Sequence, residues 1–166
     1  MRQQSENALH LVRSLLKYCD IDLEEIGDEG KVLVSIDYDI TVLVVIEDSL
    51  IHFLCTIGPV IESETFYRDL LHANFRSCTQ ADYSYAIEPE SGELLMSLMI
   101  QSDGAETNAF IHTFEEFVRY AETWKTSLQA GAAHVPERMA GPPSREPTGE
   151  VAPGSADRMQ PEFIKV

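Results

Sequence analysis

The sequence predicts an α+β fold, an antiparallel sheet packed by helices in the order α-β-β-β-α-β-β-α. Three observations carry the prediction. Apolar residues recur at helical spacing near the start of the chain, β-branched runs joined by short acidic turns follow, and an aromatic stripe spaced every three or four residues closes the ordered part.

The first helix is expected from about Ser5 to Cys19. Ala8, Val12, Leu15, Leu16 and Cys19 define its core stripe, and Leu11 and Tyr18 extend one edge while Leu9 extends the other. That apolar face covers about half the helix, more than one sheet contact uses. Three strands come next. Lys31–Ile36 alternates Val32, Val34 and Ile36 with Leu33 and Ser35, Asp37-Tyr38-Asp39 turns the chain, and Ile40–Glu47 continues as a second strand. Glu47-Asp48-Ser49 turns again into Leu50–Ile57, which Gly58-Pro59 is expected to stop. The middle strand is apolar on both sides, with Ile40, Val42, Val44 and Ile46 on one and Leu43 and Val45 on the other, so its second face needs a cover.

Ser63 is placed to cap a second helix over Glu64–Asn74, carrying Phe66, Tyr67, Leu70, Leu71 and Ala73. Ala81–Glu88 and Leu94–Gln101 read as a hairpin around Glu88-Pro89-Glu90-Ser91-Gly92-Glu93. Asp103-Gly104-Ala105-Glu106 has capping-box spacing ahead of the last helix. On that helix Phe110, Phe114, Phe117, Ala121, Trp124 and Leu128 form a stripe that core packing explains in full.

Residues 131–166 differ in composition. They hold six of the eight prolines and four glycines, and are read as a disordered Pro/Gly-rich tail behind a folded unit over residues 1–130. Their last four residues, Phe163-Ile164-Lys165-Val166, are apolar enough for a short docking motif, although most such ends merely fray. The tail carries five acids and four bases. The acidity therefore belongs to residues 1–130, where 23 acids oppose 8 bases for a net charge of −15. Such a surface repels phosphate backbones and anionic lipids, which argues against nucleic acid and bare membrane as partners. No apolar run is long enough to cross a bilayer, no signal peptide is visible, and three cysteines without ligand spacing suit a reducing compartment.

A search for chemistry finds little. Asp37 and Asp39 have the spacing of a metal-binding DxD, but two acids flanking a turn are far more often turn formers. The acidic run from Asp20 to Glu29 lacks EF-hand spacing and reads as a solvated connection. The five histidines are scattered, and Cys55 and Cys78 have no base beside them in sequence. There is no nucleophile elbow, P-loop or dinucleotide fingerprint. The expectation is a protein with no catalytic residues, no metal and no cofactor. The rivals are a small metal- or thiol-dependent enzyme and a general protein-assembly adaptor.

Over residues 5–128 the chain resembles the class I type III secretion chaperones, the Tir-chaperone (CesT-like) family. The marks are the helix LHLVRSLL (residues 9–16) before three strands, FYRDLLHANF (66–75) before a hairpin, the turn and strand EPESGELLMSLMI (88–100), and the final helix FEEFVRYAETWKTSL (114–128). The order of these segments carries the resemblance. The long tail departs from the compact members and suits a broad-range chaperone with an extra contact arm. The resemblance implies a homodimer in the bacterial cytoplasm that binds the N-terminal segment of an effector, held non-globular, without nucleotide or catalysis. By analogy it adds a secretion ATPase as a partner. Cargo contacts are expected on Leu11, Leu15 and Tyr18 of the first helix and on Leu33, Leu43 and Val45 of the sheet. The dimer interface is expected at Phe66 and Leu70 of the second helix and at Tyr83 and Tyr85 of the hairpin.

Overall fold

Apolar residues recurring at every second position produce the first three strands of a five-stranded sheet. The computed structural model describes residues 6–21, 26, 30–36, 40–77 and 83–131. Its elements are α1 (Glu6–Tyr18), β1 (Lys31–Ile36), β2 (Ile40–Glu47), β3 (Leu50–Pro59), α2 (Glu64–Ser77), β4 (Ser84–Ile87), β5 (Glu93–Gln101) and α3 (Thr107–Gln129). This is the expected order. The sheet runs β1-β2-β3-β5-β4 with every neighbouring pair antiparallel. Asp37 and Asp39, Cys78, most of the acidic run after α1, and the tail from residue 132 lie outside the described residues.

Period two decides which side chains enter the core. Val32, Val34, Ile40, Val42, Val44, Ile46, Ile51, Phe53, Cys55, Ile57, Leu94, Met96 and Leu98 are buried on one face. α3 lies across β3 and β2 on that face, and α1 packs alongside α3. Phe53 of β3 is the hub, its ring 5.3 to 5.6 Å from those of Phe110, Phe114 and Phe117. Trp124 is fully buried between Phe66 and Tyr85 and points its indole N–H at the Tyr85 hydroxyl, 3.4 Å away. It is a core residue, as its place in the stripe predicts.

Two local expectations need adjustment for physical reasons. β3 does end at Gly58-Pro59, but two residues later than Ile57: Gly58 adopts a φ of +146° at a register shift after Thr56, and the pair is taken into the strand, Gly58 opposite Leu94 and Pro59 opposite Glu93. A bulge at glycine lets the strand bend where a side chain would be strained. The capping box does not form: the residue before α3 is Glu106, which makes no side-chain cap, and the Asp103 carboxylate accepts instead from the Gln101 amide at 3.2 Å. Ser63 does cap α2, its hydroxyl accepting from the Phe66 N–H at 3.2 Å.

Candidate functional site

The face of the sheet turned away from α3 is built by the alternate residues of the same strands. The register sets Leu33 beside Leu43 and Leu43 beside Leu54, and it sets Val45 beside His52 and His52 beside Met99. These make two rows across the sheet. Leu33 is 58% exposed and Met99 57%, while Leu43, Val45, His52 and Leu54 are half-buried by their neighbours on the pleat. A concavity of about 610 Å³ opens on this face between Leu33, Leu43, Leu54 and Leu95, with Thr41, Thr56 and Glu93 around it, and it reaches Lys125 of α3. Lys31, Ser35, Thr41, Thr56 and Ser97 share this face by the register, and His52 sits among its apolar residues. The His52 Nε2 has no hydrogen-bond partner and lies 4.0 Å from the Glu47 carboxylate.

The edges of the sheet differ. At β4 the Asn74 side chain, reaching from α2, clasps the backbone: the Tyr85 N–H donates to Asn74 Oδ1 at 2.7 Å, and Asn74 Nδ2 donates to the Tyr85 carbonyl at 2.8 Å. A side-chain amide thus takes the place that a sixth strand would occupy, one way of blunting a sheet edge. At β1, the other edge, the flank is a groove of about 460 Å³ lined by Tyr18, Cys19, Ser35, Ile36, Phe114 and Val118 with Glu115, Arg119 and Glu122. There the Tyr18 hydroxyl donates to Glu115, and His112 Nδ1 lies 3.6 Å from the same carboxylate. The hydrogen bond from Tyr18, helped by His112, holds the Glu115 carboxyl below its usual range, and Glu115 in turn pushes the Tyr18 hydroxyl up.

Sequence-predicted site residues fall into two groups. Leu33, Leu43 and Val45 share the open face, and Tyr18, 57% exposed, stands at the β1 groove. Leu11 and Leu15 are buried in the core, because the wide apolar face of α1 is used up against the sheet and α3. They are not on the surface where cargo contacts were expected. The residues expected at a dimer interface are likewise interior. Phe66 packs on Trp124, Leu70 is buried, Tyr83 stacks on Tyr120 at 4.9 Å, and Tyr85 packs on Trp124. Helical geometry explains the exchange: each of these α2 residues has an apolar neighbour about 100° further round. Tyr67, Leu71 and Phe75, at i, i+4 and i+8, form the outward stripe, with Leu71 68% and Phe75 72% exposed. A concavity of about 560 Å³ runs along it beside Glu62, Ser63 and Arg68.

The two described thiols, Cys19 and Cys55, offer no activated nucleophile. Burial pushes Cys55 up despite the nearby Lys125, and burial together with Glu115 pushes Cys19 up, the opposite of the shift a reactive thiolate shows. Among the described residues no cluster of His, Cys, Asp and Glu is placed to hold a metal, and no helix is long and apolar enough to cross a membrane.

Comparison with known proteins completes the picture. The comparison with curated proteins finds no match. Among solved structures, the chain is similar to the Yersinia pestis type III secretion chaperone SycH, crystallised with a stable fragment of YscM2, at a TM-score of 0.59 and 16% identity over 70% of this chain and 98% of that one. It is similar to a chain of the ExsC–ExsE complex at 0.63 and 15% identity, covering 76% and 96% of the two chains. It also matches a chain of the HopA1–SchA chaperone–effector complex at 0.59 and 11% identity, covering 72% and 95%. These likenesses establish a shared fold. The model of the Tir chaperone protein (CesT) family matches residues 10–125, well over half of the chain. By that match, the chain belongs to the Tir chaperone protein (CesT) family, whose members are type III secretion chaperones.

Proposed function

We propose that the protein is a non-enzymatic homodimer that holds the N-terminal segment of a secreted effector in a non-globular state and passes it to the secretion apparatus. The observation that carries this reading is an open, largely apolar sheet face bounded at β4 by the Asn74 clasp and at β1 by the groove beside Tyr18. An extended segment added to β1 gains main-chain hydrogen bonds, and its side chains meet Leu33, Leu43 and Val45 on the open face. Tyr18 flanks the same edge. Each apolar side chain taken from water there contributes about 1.5–3 kcal/mol when fully buried. Asn74 turns such pairing away from β4. Membership in a chaperone family supports the reading, as do structural neighbours solved as chaperone–effector complexes.

The second copy is assigned to the Tyr67, Leu71 and Phe75 stripe of α2 in place of the buried Phe66 and Leu70. The net charge of −16 keeps a protein with two apolar surfaces soluble, attracts basic cargo and faces a secretion ATPase in the cytoplasm. Contacts made through apolar area and backbone read little sequence, which suits more than one cargo.

The test is to purify the full chain from its host, identify the protein that accompanies it, and map the bound segment by limited proteolysis. A segment near the effector's N-terminus is expected. Leu33→Asp with Val45→Asp should release it without lowering the melting temperature. Retention of cargo by that variant, or a bound folded domain, contradicts the proposal.

A further inference from the structure

The concavity of the open sheet face lies at the strand ends, where its lining passes from Leu33, Leu43 and Leu54 of the open face to Cys55 and Ile57 of the α3-facing side. Lys125, in the last two turns of α3, lines it together with Leu33, Leu43, Leu54 and Leu95. From Lys125 to Gly131, where the described chain ends, α3 and its C-cap advance only about 9 Å at helical rise. The described chain therefore ends about 9 Å, along the helix axis, from a residue that lines this concavity. The sequence goes on for 35 residues, 132–166, and this stretch differs from the domain in charge, near neutral against −15. Bulky apolar side chains are sparse along it until Phe163, Ile164 and Val166, which flank Lys165 with no acid among the four. Extended chain spans roughly 3.3 Å per residue, so the 32 steps from Gly131 to Phe163 reach roughly 100 Å, and distance is no obstacle.

We propose that Phe163-Ile164-Lys165-Val166 occupies the open face of its own chain when no cargo is bound, with the apolar side chains over Leu33, Leu43 and Leu54. Reach alone permits any surface. The choice of this one rests on the shared wall at Lys125, on an apolar end meeting an apolar floor, and on Lys165 meeting a rim that carries Glu93. The α2 stripe is a separate surface, lined by none of the same residues. The segment then acts as a placeholder: it covers the face against non-specific association, and cargo must displace it. This consequence rests on the chaperone reading; the contact itself does not.

The contact is tested in the full chain with photoreactive benzoylphenylalanine in place of Phe163, irradiated as an equal mixture of ¹⁵N-labelled and unlabelled protein. Cross-links mapped by mass spectrometry are expected on the peptides that carry Leu33, Leu43 and Leu54, each within one isotope class. A free peptide of residues 159–166 should lower their yield. In parallel, full-length protein with Phe163→Asp and Ile164→Asp should bind the dye ANS more strongly than the natural sequence, by up to about twofold for the part of the signal that comes from this face if the segment covers it half the time. Cross-links scattered over the surface, concentrated on α2, or formed between isotope classes overturn the proposal, as does unchanged dye binding. Scattered cross-links from a protein that still loses cargo with Leu33→Asp and Val45→Asp remove the placeholder alone. Cross-links on the face with cargo binding unaffected by those substitutions confirm the contact and remove the chaperone site.

Discussion

Replacing Asn74 with alanine removes both hydrogen bonds that close the β4 edge. The Tyr85 N–H and carbonyl they satisfy are partly buried, at 2.7 and 2.8 Å from the amide, so water recovers only part of what is lost. A backbone hydrogen bond contributes about 1 kcal/mol net, and an unsatisfied buried group costs about 1–3 kcal/mol. Asn74→Ala should therefore cost about 2 kcal/mol in urea unfolding at fixed protein concentration. Asn74→Asp separates the two bonds. At neutral pH the carboxylate still accepts from the Tyr85 N–H but faces the Tyr85 carbonyl with no proton to donate, so it should recover no more than half of the loss. The Tyr85 amide should exchange with solvent much faster in the alanine variant, and the bared edge should promote self-association at high concentration. A change below about 0.5 kcal/mol, the scale of an ordinary surface substitution, together with unchanged exchange at Tyr85, would refute the clasp.

Trp124→Ala empties a site sealed by Phe66 and Tyr85 and should cost about 3–5 kcal/mol, read as a large fall in melting temperature. Leu71→Asp should leave secondary structure intact while sedimentation moves toward the monomer mass of 18.6 kDa. Phe66→Glu should instead unfold the chain, because it buries a charge beside Trp124. The Glu88 carboxyl is held below its usual range, first by the Ser91 N–H at 2.6 Å and also by Glu90. A lowered folded-state value stabilises above the ordinary carboxylate range and is lost as pH falls through the lowered value. Glu88→Gln should thus reduce the melting temperature at pH 7 and leave it unchanged in acid below that range.

The order of elements was legible because each has a strong local period: two in Lys31–Ile36, three to four in the Phe110–Trp124 stripe. The faces of the helices were not. Phe66 and Tyr67, or Leu70 and Leu71, are adjacent apolar residues of similar bulk, and only packing on β4 decides which member turns inward. On α1 the wide apolar face suggested a surplus for cargo, yet two neighbours, the sheet and α3, consume Leu11 and Leu15. The open sheet face was visible in Leu43 and Val45 because a strand apolar on both sides is uncommon in a one-layer sheet. The Asn74 clasp had no sequence signal at all, since an asparagine near a helix end is ordinary and its partner lies eleven residues on in another element. Gly58-Pro59 marked the end of β3 to within two residues, because the glycine makes a bulge that carries the pairing through to Pro59.

Hydrogen exchange of the chaperone–effector complex, compared with the free chaperone, tests the central claim most directly. Cargo laid along β1 should slow exchange of the β1 amides facing away from β2, leave the clasped Tyr85 amide as it was, and show no protected core within the bound cargo segment. Salt at about 0.5 M, where screening lengths fall to a few ångströms, should weaken that protection only modestly. Protection confined to β4 or to the α2 stripe, or a cargo that keeps its own protected globular core, would contradict the account.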